Sequence, residues 1–120
     1  MKAVPVAALS LGKPMPRMGF GTASATLGQA EGRAGLTEAV LHALDAGYRH
    51  FDTASLYNAE AALGDAVVEA VRAGTVASRD DLYVTTKLWI TDAHPGRVLP
   101  ALQKSLRLVA CEPPKKKRKK

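Results

Sequence analysis

Three times along these 120 residues a short apolar run gives way to a polar loop and then to an amphipathic helix, and no other feature limits the possible folds so sharply. In the first unit Gly19 to Thr22 forms a short strand and a Gly-rich loop runs through Gly35. Thr37 then opens a helix as its N-cap, with Leu36, Val40, Ala43 and Leu44 on one face and Gly47 as the terminating glycine. The second unit has a strand from Arg49 to Thr53 and a loop to Asn58. Its helix places Ala59, Leu63, Ala66, Val67, Ala70 and Val71 on one side and ends at Gly74. In the third, a polar turn from Ser78 to Asp81 precedes a strand from Leu82 to Lys87. A helix from Pro95 to Leu108 follows, with Val98, Leu102, Ser105 and Leu106 or Val109 as its inner face. Pro95 suits the first helical turn, and Pro100 needs to lie near the start of the helix as well. Upstream, residues 4 to 9 and 15 to 18 flank a turn containing Gly12 and predict a hairpin, kept off any central sheet by Pro5, Pro14 and Pro16. Alternation of this kind predicts an α/β fold with a parallel sheet and right-handed crossovers.

Length and charge narrow the functional classes. A chain of 120 residues holds one domain at most, read here as residues 1–109 followed by a disordered basic tail, 110–120. The net charge of +6 suggests a nucleic-acid binder until its source is located: KKKRKK at the end carries six of the seventeen basic groups. Eleven positive groups then face eleven negative ones, so the globular part has no specific nucleic-acid partner to expect. One cysteine, Cys111, allows no internal disulfide and has no zinc-site spacing, which fits a reducing, cytoplasmic setting without a metal. Pro5 interrupts the first apolar run, against a signal peptide, and no apolar stretch has the length of a membrane span.

Within that frame two strand exits carry chemistry. GYRHFDTASLYNAEAALG places Asp52 and Tyr57 just beyond the second strand, and LYVTTKLW brings Lys87 and Trp89 out at the end of the third. Loops after parallel strands build active sites, so an acid, a phenol and an ammonium at neighbouring exits point to catalysis. A phenol ordinarily titrates near 10, too high for an easy proton donor at neutral pH, and a nearby ammonium lowers that value by stabilising the phenolate. The plain alternative is a surface ion pair beside a half-buried phenol.

Together with LGKPMPRMGFGT ahead of them, these motifs resemble the aldo-keto reductases, NADPH-dependent carbonyl reductases built on a (β/α)8 TIM barrel. The likeness runs from about Ala3 to Leu108, and TTKLWITDAHPGRVLPALQKSL is similar to the plant branch of the family. It implies a partial barrel: an N-terminal hairpin and about three β/α units. It also implies three of the family's four catalytic residues: Asp52, Tyr57 as the proton donor and Lys87. The fourth, a histidine on the next strand, has no counterpart here. By the same resemblance Gly21, Thr22, Ala23 and Asp52 meet the nicotinamide end of NADPH, and Trp89 walls the pocket of a small carbonyl substrate. Three units of eight leave sheet edges bare, and the expectation is a truncated form with weak or absent turnover.

Other features carry less. Gly19-Phe20-Gly21-Thr22-Ala23-Ser24 departs from a dinucleotide-binding fingerprint at Ser24. His42, His50 and His94 lack ligand spacing and read as structural, His50 as a packed, hydrogen-bonded side chain facing the barrel interior. The ending PPKKKRKK resembles short basic nuclear-import signals, which would add an importin partner and a nuclear address, and is weighed against a shifted reading frame. The alternative to an enzyme is a non-catalytic interaction protein that works through its exposed sheet edge or this tail.

Overall fold

The computed structural model describes residues 4–23 and 30–109. Two strands, β1 (Val6–Ala7) and β2 (Met15–Pro16), pair antiparallel as the expected hairpin, shorter than the sequence suggests. Gly12 turns it with a φ of +78°, a conformation that costs glycine nothing. Three further strands, β3 (Gly19–Gly21), β4 (His50–Asp52) and β5 (Tyr83–Thr85), form a parallel sheet in the order β3-β4-β5. The register sets Gly21 beside Asp52 and Asp52 beside Thr85. Helices α1 (Ala30–Ala46), α2 (Glu60–Arg72) and α3 (Val98–Leu108) complete the units.

Strand alternation sorts β4 and β5 into two faces. Phe51 turns toward the helices and is wholly buried with Val40, Leu44, Leu63, Val67 and Leu82. The opposite face carries His50 and Asp52, with Tyr83 and Thr85 at the same register. Phe20 packs edge-on against Tyr48 and tilted against Phe51, so aromatic contacts join β3 to this core. Deleting a ring buried as Phe51 is typically costs about 3–5 kcal/mol.

The hairpin closes the amino end of the sheet. Lys13 Nζ donates to the carbonyls of Asp80 and Leu82 just before β5. His50 bridges Pro16 O (3.1 Å) and Thr85 Oγ1 (3.2 Å), which is the structural role the sequence assigns to it.

Four expectations need correcting. Helix α1 already includes Ala30, so Gly35 and Thr37 lie inside it and Thr37 is no cap. Contacts with α2 explain the extra turns: Arg33 pairs with Asp65 at 2.8 Å, and the Thr37 hydroxyl, also bonded to Arg33 O, donates to Ala62 O at 3.1 Å. The strands are shorter than predicted, and Lys87 stands two residues past the end of β5. Val71 is 37 % exposed and does not join the buried face of α2. Helix α3 starts at Val98 rather than Pro95, and Val98 and Leu102 of its expected inner face are about half exposed while Ser105 and Val109 are buried. The C-terminal end of α3 meets α2 at Gly64, where a Cβ would run into the Leu108 carbonyl. Beyond β5 the described residues supply no strand on which the start of α3 can rest.

Candidate active site

The carboxyl ends of β4 and β5 continue past the ladder as two zipped segments. Thr53 N donates to Thr85 O (2.8 Å) and Ser55 N to Lys87 O (3.3 Å), and the Ser55 hydroxyl donates to the same Lys87 carbonyl (3.2 Å). Chain parity therefore carries Lys87 onto the face that holds Asp52. Its Nζ stands 2.7 Å from Asp52 Oδ2 and 3.0 Å from Thr53 O.

Tyr57 arrives from a short 3-10 turn, Ser55–Tyr57, and Asn58 closes the turn in the left-handed region at φ +52°. The Lys87 ammonium lies over the Tyr57 ring, 5.0 Å from its centre. The structure thus brings Asp52, Tyr57 and Lys87 together around one ammonium. Its hydrogen bond to the Asp52 carboxylate holds Lys87 above the ordinary lysine value of 10.5, with partial desolvation working against the rise and the charges of Asp52 and Tyr57 adding to it. At neutral pH the lysine is a fixed cation. The pair is about half exposed, open to a ligand on the carboxyl side of the sheet.

The glycine-rich segment flanks this cluster. Thr22 donates both its N–H and its hydroxyl to Asp52 O, each at 3.0 Å, and is buried, so its side chain serves the β3–β4 junction. Gly21 and Ala23 are exposed, and a Cβ at Gly21 would meet nothing within 4 Å. That leaves an open ledge beside the half-exposed Asp52. Trp89, 37 % exposed, precedes a turn at Ile90–Asp92 and stands outside the core. Next to Lys87 a groove of about 210 Å³ is lined by Ser55, Leu88, Val98, Ala101 and Leu102. His42 is an exposed side chain near Glu38. Among the described residues no cluster of side chains suits a metal ion, and no helix is long and apolar enough to cross a membrane. The basic tail lies outside the described residues.

Sequence reasoning missed two groups here: Ser55, which grips the Lys87 backbone, and Glu60, which accepts the Thr86 hydroxyl at 3.0 Å. The available signal was parity, since Thr86 must face opposite to Lys87.

Known proteins resemble this chain over most of its length. A 7-acetyl-epi-neemfruitin B aldo-keto reductase of Melia azedarach is 50% identical over 103 residues, 86% of this chain and 31% of that protein. A deoxymugineic acid synthase 1 of Oryza sativa is 54% identical over 92 residues, 77% of this chain and 28% of that protein. The NADPH-dependent codeinone reductase 1-4 of Papaver somniferum is 50% identical over 109 residues, 91% of this chain and 33% of that protein. Among solved structures, an aldo-keto reductase of Bombyx mori in complex with NADP superposes with a TM-score of 0.81 at 36% identity, covering 92% of this chain and 36% of that one. The chain spans about a third of the length of these relatives, and its fold is a partial (β/α)8 barrel. With the model of the aldo/keto reductase family matching residues 17–113, the chain belongs to that family.

Proposed function

We propose that this chain carries the proton-donating part of an NADPH-dependent carbonyl reductase that converts aldehydes or ketones to alcohols. One observation supports the reading above the others: a single ammonium, Lys87 Nζ, lies 2.7 Å from the Asp52 carboxylate and over the Tyr57 ring. Tyr57 is the general acid, giving its phenolic proton to the carbonyl oxygen as that oxygen gains negative charge. Lys87 stabilises the phenolate left behind, and Asp52 keeps the lysine charged and oriented. Gly21, Ala23 and Asp52 would hold the nicotinamide, with Thr22 shaping the ledge from beneath. When bound, the reduced nicotinamide supplies the hydride that the carbonyl carbon accepts. Trp89 would wall the substrate pocket. By themselves these 120 residues orient the acid but leave the reactants unpositioned, so turnover by this chain alone is weak or absent.

The test joins residues 1–109 to the remaining two thirds of a relative and follows NADPH oxidation with a small aldehyde. Tyr57→Phe should cost about 10²–10⁴-fold in kcat, the usual weight of a general acid. Equal rates with and without the phenolic hydroxyl would defeat the reading.

A second reading, a non-catalytic interaction protein, is favoured by the other end of the sheet. Strand β5 has no partner on its outer edge among the described residues, and Val98 and Leu102 line an apolar groove beside it. Such an edge accepts a further strand, here from a longer reductase chain. Co-purification of the 120-residue chain with such a reductase, lost on Leu102→Lys, would favour it. Recovery of each protein separately would remove it.

A further inference from the structure

Glu60 is the one charged residue among the buried described residues, 4 % exposed at the first position of α2. Burying a carboxylate is expensive unless something compensates it. Two features do so: the positive end of a 13-residue helix, and the hydroxyl of Thr86, which donates to Glu60 Oε2 at 3.0 Å. An apolar side chain would fill that place at lower desolvation cost but could not accept the Thr86 hydroxyl.

The two ends of this bond matter. Glu60 follows Tyr57 by three residues, and Thr86 immediately precedes Lys87. In an extended chain successive side chains point to opposite faces, so anchoring Thr86 on the helix side dictates that Lys87 emerges on the other. The other ties to Lys87 run from its ammonium to Asp52 and Thr53, and from its carbonyl to Ser55. None of them fixes the rotation of the segment from behind. We propose that Glu60 is a positioning residue: by holding the Thr86 hydroxyl on the helix side of the sheet, it locks segment 86–87 in phase and keeps the Lys87 ammonium between Asp52 and Tyr57.

The purpose of this device rests on the proposed reductase reading, but its test reads the lysine rather than turnover, so the two can fail separately. In the isotopically labelled 120-residue chain, the Lys87 side chain is titrated by NMR in wild type, Thr86→Val, Thr86→Ser and Glu60→Gln. Wild type should titrate above 10.5. Thr86→Val, which keeps shape and loses the hydroxyl, should shift Lys87 down toward the ordinary value and weaken Tyr57 ring contacts to the lysine methylenes. Thr86→Ser restores both, and Glu60→Gln, which retains an accepting oxygen, stays near wild type. A folded Thr86→Val chain with unchanged Lys87 titration and ring contacts would overturn the proposal. Should that variant not fold, Thr86→Ala is read in the same way.

Discussion

Lys87 and Asp52 stand 2.7 Å apart although 35 residues separate them in the chain, and each owes its place to a strand exit rather than to a loop of its own. The ion pair is therefore a property of sheet register: Asp52 lies beside Thr85, and Lys87 comes two residues later on the same face. Its dependence on pH has a definite sign. The folded Lys87 is held above 10.5, so its stabilising contribution is fully present below that value and is lost as pH rises through the folded titration. Lys87→Met should lower stability by only about 0.5 kcal/mol near neutrality, the weight of a half-exposed pair. Urea midpoints of the two proteins, followed upward in pH through the lysine range, should converge. A constant gap would refute the linkage.

Gly64 marks a close approach between α2 and α3, with the Leu108 carbonyl where a Cβ would stand. A backbone carbonyl cannot swing aside as a side-chain tip does. Gly64→Ala should cost about 1–3 kcal/mol despite its higher helix propensity. Thermal unfolding would show this as a lowered Tm, and a raised Tm would mean that α3 moves away freely.

Thr53 Oγ1 is buried without a hydrogen-bond partner among the described residues. An orphaned hydroxyl of this kind costs free energy that its isosteric methyl does not. Thr53→Val should stabilise the chain by about 1 kcal/mol, read from denaturant midpoints at unchanged slope, since the Thr53 backbone that meets Lys87 and Thr85 is untouched. Destabilisation would reveal a partner for the hydroxyl.

The groove along α3 exposes Val98 and Leu102 beside Leu88. Open apolar surface of this sort binds fluorescent apolar dyes. Leu102→Lys should reduce dye fluorescence severalfold and leave helix content and Tm close to wild type. Undiminished fluorescence would place the dye elsewhere.

How far the sequence discloses these features depends on whether the deciding interaction is local. Three β/α units and the closing turns at Gly47 and Gly74 follow from periodicity, and strand parity sets Asp52 and Lys87 on one face, all of which neighbouring residues express. The start of α1 does not. Gly35 and Thr37 look locally like loop and cap, and only Asp65 and the Ala62 carbonyl, on another helix, make that segment helical. The inner face of α3 is misjudged for a related reason. Its apolar spacing is plain at Val98 and Leu102, but spacing says nothing about whether a neighbouring strand lies beneath. Glu60 is hidden by the same distance effect, because its partner Thr86 becomes visible only when the amino end of α2 is seen behind the exit of β5.

The hairpin β1–β2, fastened beneath β4 and β5 through His50 and Lys13, gives this architecture a floor. The amino end of the sheet is thereby covered, and the half-exposed Lys87 faces solvent at the opposite, carboxyl end.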